Sequence, residues 1–305
     1  MLNSLAVFEE KAAYTDHDRL FKELIQTFFE EFIEGFFPEI YPQINFSSVK
    51  FLEQEVFTDI VKGERRKIDI LAETSFQGTN QLILIHIEPQ STYQKEFNER
   101  MFIYCSRLYE KYRKPILPIA IFSYNDKRSV PAQFTIDVPT QQILKFQYFQ
   151  IHLIKKNWRN FIRSNNPVAA ALLSKMEYTE NERVQVKVEF FRMLSRMELD
   201  PAKMELLYGF FETYLKLTET EEEQMIERIS NLPDQKERES VLRLPNSYFD
   251  KGVKQGIEQG KKTGAEAAKQ EVAQNLLSLG LSIEQIVEAT GLSQETIEQL
   301  KDKQA

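Results

Sequence analysis

The stretch of sequence that decides the fold is QLILIHIEPQS, residues 81–91. It begins with apolar residues, as a buried strand does, and then places His86, Glu88 and Gln90 at every second position. Successive side chains of a strand point to opposite faces of the sheet. The sequence therefore predicts a buried strand that presents three polar side chains in a row on one of its faces.

A second acidic side chain stands in the apolar stretch RKIDILAE, residues 66–73, where Asp69 lies between two isoleucines. The connection between the two stretches is short and contains the turn-forming letters QGTN, so we expect the strands to pair. Paired strands lie about 4.8 Å apart, which brings Asp69 close to Glu88. Two half-buried carboxylates repel each other unless a cation compensates, and Mg²⁺ prefers one or two carboxylates with waters and phosphate. The pair is a candidate metal site, with ion pairs to the basic residues 65–67 as the structural alternative.

Helical and strand-like patterns alternate over residues 1–155. Apolar residues at three-to-four spacing predict one helix over residues 16–37 and another over about 94–113. The predicted strands cover residues 49–57, 66–73, 81–88 and 115–124, and two further runs, 132–137 and 146–154, could extend the sheet. The order helix, three strands, helix, strand (αβββαβ) predicts an α/β domain whose last core strand is buried on both faces.

The rest of the chain changes character twice. Residues 156–245 have few strand signals, and their apolar spacing predicts an all-helical region. In residues 246–305, glycines recur every four residues at Gly252, Gly256, Gly260 and Gly264. This stripe fits either a solvated connecting helix or a close helix–helix face, so the tail is a candidate interface for a homo-oligomer.

The end of the tail resembles a helix-turn-helix. Residues 283–290 and 294–301 have helical spacing, and the letters GLS between them predict the turn. Residues 251–305 hold seven Lys and Arg against eight Asp and Glu. Because a DNA-reading surface is basic, this balance favours a packing or protein-interaction module.

Composition limits the classes of protein that this chain fits. A net charge of −7 over 305 residues argues against a wholly basic, nucleic-acid-coating protein, although it permits a local basic groove. The single cysteine, Cys105, excludes an intramolecular disulfide and indicates a reducing compartment. We find neither a signal peptide pattern nor an apolar run of about 18 residues, so we expect a cytoplasmic protein with no membrane partner.

The acidic residues and their spacing resemble the PD-(D/E)XK nuclease superfamily, with Asp69, Glu88 and Gln90 in the places of its three motif residues. Gln90 stands where most of that superfamily has lysine. The chain is more closely similar to the recombination-promoting nuclease (Rpn) and putative transposase family of bacteria, which looks like a PD-(D/E)XK branch that itself carries E-x-Q. The matching stretches are HDRLFKELI (17–25), RRKIDILAE (65–73), IHIEPQS (85–91), RMFIYCSRLYEKY (100–112) and the glycine-repeat tail.

This resemblance implies a DNA endonuclease that uses Mg²⁺ or Mn²⁺ to hydrolyse phosphodiester bonds in recombination or transposition. Its fold would be a restriction-endonuclease-like αβββαβ core followed by the helical region and the tail. Asp69 and Glu88 would hold the metal ion, and Gln90 would orient a water molecule or bind phosphate. A further acid often comes from the first helix, where Asp18 is our first choice and Glu55, on the first strand, is the second.

Three questions stay open at this point. Lys67 is expected on the same strand face as Asp69 and could supply the positive charge that Gln90 lacks. Arg100, at the start of the second helix, could contact phosphate or could instead pair with Glu96 or Glu99, so Lys67 and Arg100 are both candidate DNA contacts. His86 fits a buried core histidine as well as a catalytic one. Because glutamine cannot act as a base or carry a charge, the alternative is a catalytically degenerate nuclease fold that serves as a DNA- or protein-binding module.

Overall fold

A five-stranded mixed sheet organises the first part of the protein. The computed structural model describes residues 17–53, 56–58, 65–128, 130–244 and 269–302. The strands of this sheet are Lys50–Phe51 (β1), Ile70–Ser75 (β4), Leu82–Gln90 (β5), Ile116–Phe122 (β6) and Phe149–His152 (β9). Their order is β1-β4-β5-β6-β9, with β5 antiparallel to β4 and parallel to β6. The predicted α/β class is therefore confirmed.

Strand β5 is the quoted stretch, and it occupies the centre of the sheet. From Ile83 to Gln90 every residue is buried, so both faces of the strand are covered. One face is covered by helix α3 (Phe97–Tyr112), since Leu84 packs with Tyr104 and Leu108 of that helix. The polar residues of β5 alternate with its isoleucines as predicted, and they lie on the α3 side.

The region around Asp69 differs from the prediction. The run 66–73 is not one strand: β3 (Arg65–Lys67) pairs only with β2 (Val56–Thr58), and β4 starts at Ile70. Asp69 lies at the bend between them. The chain leaves one pairing partner and joins another here, so a continuous ladder cannot pass through both segments. The expectation that Lys67 and Asp69 share a strand face is thus wrong.

The two strand-like runs after β6, residues 132–137 and 146–154, pair with different strands. Strand β9 adds parallel to β6 and extends the sheet, as predicted. Strands β7 (Gln133–Val138) and β8 (Gln141–Gln147) instead pair with each other as a separate hairpin. Strand β6 reaches the interior as expected, with its last five residues buried.

Helices from the middle of the chain cover the N-terminal helices. The predicted helix over 16–37 is interrupted at Phe28, giving α1 (residues 17–27) and α2 (Phe29–Phe36). The ring of Phe21 lies 5.0 Å from that of Phe210 in an edge contact, and Phe36 stacks on Phe161 at 5.4 Å. The helical segment consists of α4 (Pro167–Leu172), α5 (Arg183–Leu194), α6 (Pro201–Tyr214), α7 (Glu219–Ser230) and α8 (Gln235–Leu242).

The chain divides into two compact units, residues 1–241 and 242–305. The first unit holds both the sheet and the helical segment, because the segment's aromatic residues complete the core of α1 and α2. The division of the chain into a domain of residues 1–155 and a helical domain of residues 156–245 stays a prediction. The glycine stripe at 252–264 lies outside the described residues.

The second unit contains three short helices: α9 (residues 269–278), α10 (Ile283–Thr290) and α11 (Gln294–Asp302). Their small core is formed by Ala273, Ile286, Ile297 and Leu300. Ser282 and Gln285 form a capping box at the start of α10, and Gly291 ends it with φ 67°, a conformation that favours glycine. The predicted pair of helices and the turn between them are therefore confirmed.

Candidate active site

The two predicted metal ligands meet at the edge between β4 and β5. Ile70 is paired with Ile87, so the bend before β4 brings Asp69 beside Glu88. Their side chains share a hydrogen bond, and the backbone of Asp69 also bonds to the Glu88 carboxylate. Glu88 is buried and Asp69 is half-buried. The structure thus brings together two carboxyl groups that the sequence separates by 18 residues.

Both carboxyl groups hold a proton more tightly than usual. Burial, followed by the charge of Glu88 and the hydrogen bond shared with it, raises the pKa of Asp69 to about 8. Burial likewise raises the pKa of Glu88 to about 7, against the lowering effect of Arg100. Loss of water disfavours the charged form of a carboxyl group. Either a bound proton or a nearby cation would therefore stabilise this buried pair.

Asp18 of α1 approaches this pair. Burial and the charge of Asp69 raise the pKa of Asp18 to about 7, while Arg100 lowers it. The Oδ1 atom of Asp18 is buried and has no hydrogen-bond partner among the described residues. A buried oxygen without a partner is costly, so this atom is suited to bind a cation or a water molecule. Glu55, the second choice for this acid, lies outside the described residues.

Arg100 supplies a positive charge beside Gln90. Its guanidinium donates through Nη2 to Oε1 of Gln90 and through Nη1 to Oε1 of Gln94. The Gln90 amide in turn donates to the backbone oxygen of Thr92 at 2.8 Å. Arg100 therefore lies in the cluster itself, because its charge lowers the pKa of all three carboxyl groups.

The other predicted basic contact, Lys67, belongs to a strand outside the five-stranded sheet. Lys67 belongs to β3, where it pairs with Val56 in the two-stranded ladder. Gln94 was missed by the sequence reasoning, which placed it at the start of the helix predicted over about 94–113; it lies in the loop before α3. Its only sequence signal is its position between the E-x-Q strand and the helix that carries Arg100.

His86 supports Glu88 from within β5. Its Nε2 lies 2.8 Å from Oε1 of Glu88, and burial lowers the pKa of this fully buried imidazole to about 4. A neutral ring that carries its proton on Nε2 donates it to the Glu88 carboxylate. The ring also meets Tyr104 at 5.9 Å in an edge contact. This places His86 as a residue that orients Glu88.

His17 ties three elements together next to Asp18. Its Nε2 lies 2.9 Å from the Ser123 hydroxyl, at the end of β6, and its Nδ1 lies 2.7 Å from the Tyr214 hydroxyl of α6. Burial and the nearby Lys175 charge lower its pKa to about 4. The imidazole fixes the start of α1 and with it the position of Asp18.

The donor set fits a hard divalent cation. Within the described residues, no group of three or more His, Cys, Asp and Glu side chains is arranged to hold a metal ion. Asp69 and Glu88 instead offer two carboxylates, with the unpartnered oxygen of Asp18 beside them. Mg²⁺ is bound in proteins by one or two carboxylates, with the remaining positions taken by water and phosphate.

These observations define a mixed α/β protein with a buried acidic site and a second unit of three short helices. Residues 266–302 match the model of the C-terminal HTH domain of the Rpn/YhgA-like nuclease family. The match confirms the predicted resemblance to the Rpn family and indicates a nuclease or DNA-related role. No curated protein and no solved structure matches the chain. In the described part of the chain, no helix is both long and apolar enough to cross a membrane.

Proposed function

We propose that the protein is a Mg²⁺- or Mn²⁺-dependent DNA endonuclease with a PD-(D/E)XK-type core that acts in recombination or transposition. The observation that carries this proposal is the buried pair of Asp69 and Glu88, joined by Asp18 and Arg100. Three carboxyl groups with raised pKa values around the Arg100 guanidinium are typical of functional sites rather than of surface ion pairs. The match to an Rpn-type HTH domain supports DNA as the substrate.

Each residue of the site has a role that follows from its surroundings. Asp69 and Glu88 would hold the metal ion, and His86 keeps Glu88 in place through its Nε2. The ion would lower the pKa of a bound water and neutralise charge on the scissile phosphate. Asp18 can accept a proton from a water molecule through its unpartnered oxygen.

Arg100 would provide the positive charge that a lysine at position 90 would otherwise bring to the site. Its guanidinium is fixed by Gln90 and Gln94, so it can stabilise a phosphate without losing freedom on binding. Gln90 would act as the group that holds this cation. Lys67 stays a candidate DNA contact.

The alternative function is a binding module with an inactive nuclease fold. The glutamine at position 90 favours it, whereas the two carboxyl groups and the charge of Arg100 favour an enzyme. In either case the proposal includes a cytoplasmic location, where DNA is found, and a homo-oligomer assembled through the tail.

A plasmid assay separates the two functions. Purified full-length protein is incubated with supercoiled plasmid in the presence of Mg²⁺, Mn²⁺ or EDTA, and nicked and linear products are measured. The endonuclease proposal predicts products with either metal and none with EDTA. Retention of plasmid in a gel without any cleavage would favour the binding module, and cleavage in EDTA would contradict a metal-dependent mechanism.

A further inference from the structure

An exposed tyrosine is anchored next to the candidate active site. Tyr93 follows β5 in the loop that leads to α3, and it is 41% exposed. Its neighbours on both sides bond to the site: the Thr92 oxygen accepts from Gln90, and the Gln94 side chain accepts from Arg100. The residues before and after Tyr93 therefore hold its backbone next to the cluster, while its ring is open to solvent.

A guanidinium covers one side of this ring. The Cζ atom of Arg128 lies 4.2 Å from the ring centroid of Tyr93, a distance typical of a stacked cation–π pair. Tyr124, at the end of the neighbouring strand, meets Tyr93 edge-on at 6.4 Å and 87°. Tyr124 is buried, so it supports the pair from below.

The guanidinium is itself held in place and remains accessible. Asp126 accepts from the backbone N–H of Arg128 at 2.8 Å and also pairs with its guanidinium, yet the side chain of Arg128 is 63% exposed. Since this cation already has a carboxylate partner, its charge is partly neutralised. The exposed flat faces of the Arg128 guanidinium and of the Tyr93 ring therefore remain available for stacking with a ligand.

Further positive charge lies beside the pair. The Lys155 ammonium donates to the backbone oxygen of Arg128 at 3.3 Å, and Lys155 is exposed. Lys127 is exposed as well and pairs with Glu177. An ammonium next to stacked flat groups can meet the phosphate that follows an unpaired base.

We propose that Tyr93 and Arg128 form a stacking platform for an unpaired nucleobase, so that the protein prefers single-stranded DNA or DNA with unpaired bases. This inference rests on the proposed function and names the substrate class of the same site. Aromatic rings and guanidinium planes bind bases by stacking on their faces. A base in an intact duplex has both faces covered by its neighbours, so the platform can engage only a base that has left the stack.

Binding to oligonucleotides in EDTA tests the platform without requiring cleavage. Fluorescence anisotropy is measured with the full chain, using a labelled single strand and the duplex of the same sequence. We expect Tyr93→Ala to weaken binding of the single strand by about 5- to 150-fold, the range for one stacked base, and to change duplex binding far less. Tyr93→Phe keeps the ring, so it should bind the single strand as the wild type does.

Two further variants separate stacking from charge and from general surface effects. Arg128→Lys keeps the charge but removes the plane, so it should weaken single-strand binding with an unchanged dependence on salt. Tyr109→Ala is the matched control, because Tyr109 is 53% exposed and lies under Arg113, with 5.8 Å between the guanidinium carbon and the ring centroid. It should bind both oligonucleotides as the wild type does.

The outcomes distinguish this inference from the proposed function. Unchanged single-strand affinity in Tyr93→Ala, an equal loss for duplex and single strand, or a wild type that does not bind single strands would each overturn the platform. Absence of metal-dependent cleavage, with a selective loss of single-strand binding in Tyr93→Ala, would instead reject the nuclease activity and leave the platform standing.

Discussion

At the scale of single residues, Gln90 is the position where the chain differs from the nuclease pattern that its sequence resembles. Its side-chain oxygen accepts from the Arg100 guanidinium. Replacing it by lysine removes this acceptor and places a second positive charge beside Arg100. We therefore expect Gln90→Lys to lower the free energy of unfolding by about 1–3 kcal/mol and to reduce cleavage. Urea unfolding and the plasmid assay measure the two effects.

The control for this change is Gln90→Glu, which keeps an acceptor for Arg100. Its stability loss should be smaller than that of Gln90→Lys. A more active Gln90→Lys protein would contradict the view that Arg100 already provides the cation of this site.

His17 predicts a pH effect on stability. Its folded-state pKa of about 4 lies below the ordinary value of 6.5, so only the unfolded chain takes up a proton between these values. Stability should accordingly fall as the pH decreases from about 6.5 to about 4 and should not depend on this group at higher pH. In His17→Gln the decline should be shallower, as measured by urea unfolding across this pH range. An equally steep decline in the variant would exclude His17 as a source of it.

The sequence predicted the relative positions of the acidic residues better than the contacts of their basic partner, Arg100. Strand periodicity is a local property, so it placed Glu88 and Gln90 on one face and Asp69 next to them. Arg100 was predicted as a DNA contact through a family resemblance, but its bond to Gln90 depends on where α3 crosses the sheet. The shared strand face expected for Lys67 and Asp69 was wrong because the break before Asp69 is a change of pairing partner, which no local pattern shows.

At the scale of secondary-structure elements, one contact joins α2 to α4. The Asn166 side chain caps α4 by accepting from the Ala169 N–H at 2.9 Å, and its amide donates to the Glu31 oxygen at 2.7 Å. A Cβ atom at Gly35 would lie 2.9 Å from Nδ2 of Asn166. Two hydrogen bonds, each contributing about 1 kcal/mol, would be disturbed, against a gain in helix propensity of about 1 kcal/mol. We expect Gly35→Ala to destabilise the protein by about 1 kcal/mol.

A double-mutant cycle checks this cause. In Asn166→Ala the obstructing side chain is absent, so a subsequent Gly35→Ala change should stabilise the protein through helix propensity alone. The measurement is the free energy of unfolding of the four proteins in urea. The same effect of Gly35→Ala in both backgrounds would show that Asn166 is not the obstacle.

Helices and strands were predictable where their sequence pattern was long and distinct. The pairing of strands was not predictable where two runs have the same pattern. Helix α3 and strand β6 appear close to their predicted positions, because amphipathic spacing and an unbroken apolar run are distinct signals. The runs 132–137 and 146–154 look alike in sequence, yet β7 forms a hairpin with β8 while β9 joins the sheet. That choice depends on which edge lies within reach, a property of the folded chain.

At the scale of the whole molecule, all the candidate active-site residues belong to the first unit. The second unit, as far as it is described, holds two lysines and six acidic residues over 269–302, and Glu295 and Glu298 are exposed on α11. Phosphate contacts dominate DNA affinity, so this balance is a poor source of it. We expect a protein truncated after residue 244 to retain metal-dependent cleavage at a similar rate. Plasmid cleavage with matched concentrations of the two proteins measures this.

The same truncation tests the role of the tail in assembly. Light scattering gives the mass of the full and shortened chains, and a homo-oligomer that depends on the tail should become a monomer. Loss of cleavage together with an unchanged mass would show that the second unit serves the DNA substrate directly, in contradiction to its charge.

Asp69 and Glu88 are proposed to form a metal-dependent hydrolytic site. The most direct measurement is the plasmid cleavage rate with Mg²⁺ for the wild type, Asp69→Asn and Glu88→Gln, with Glu73→Gln as control. Glu73 lies on β4 and pairs with Lys114, so it matches the other changes in charge but not in role. We predict a loss of more than about 100-fold in the first two variants and a rate near that of the wild type in the control. Cleavage that survives both Asp69→Asn and Glu88→Gln would contradict the account.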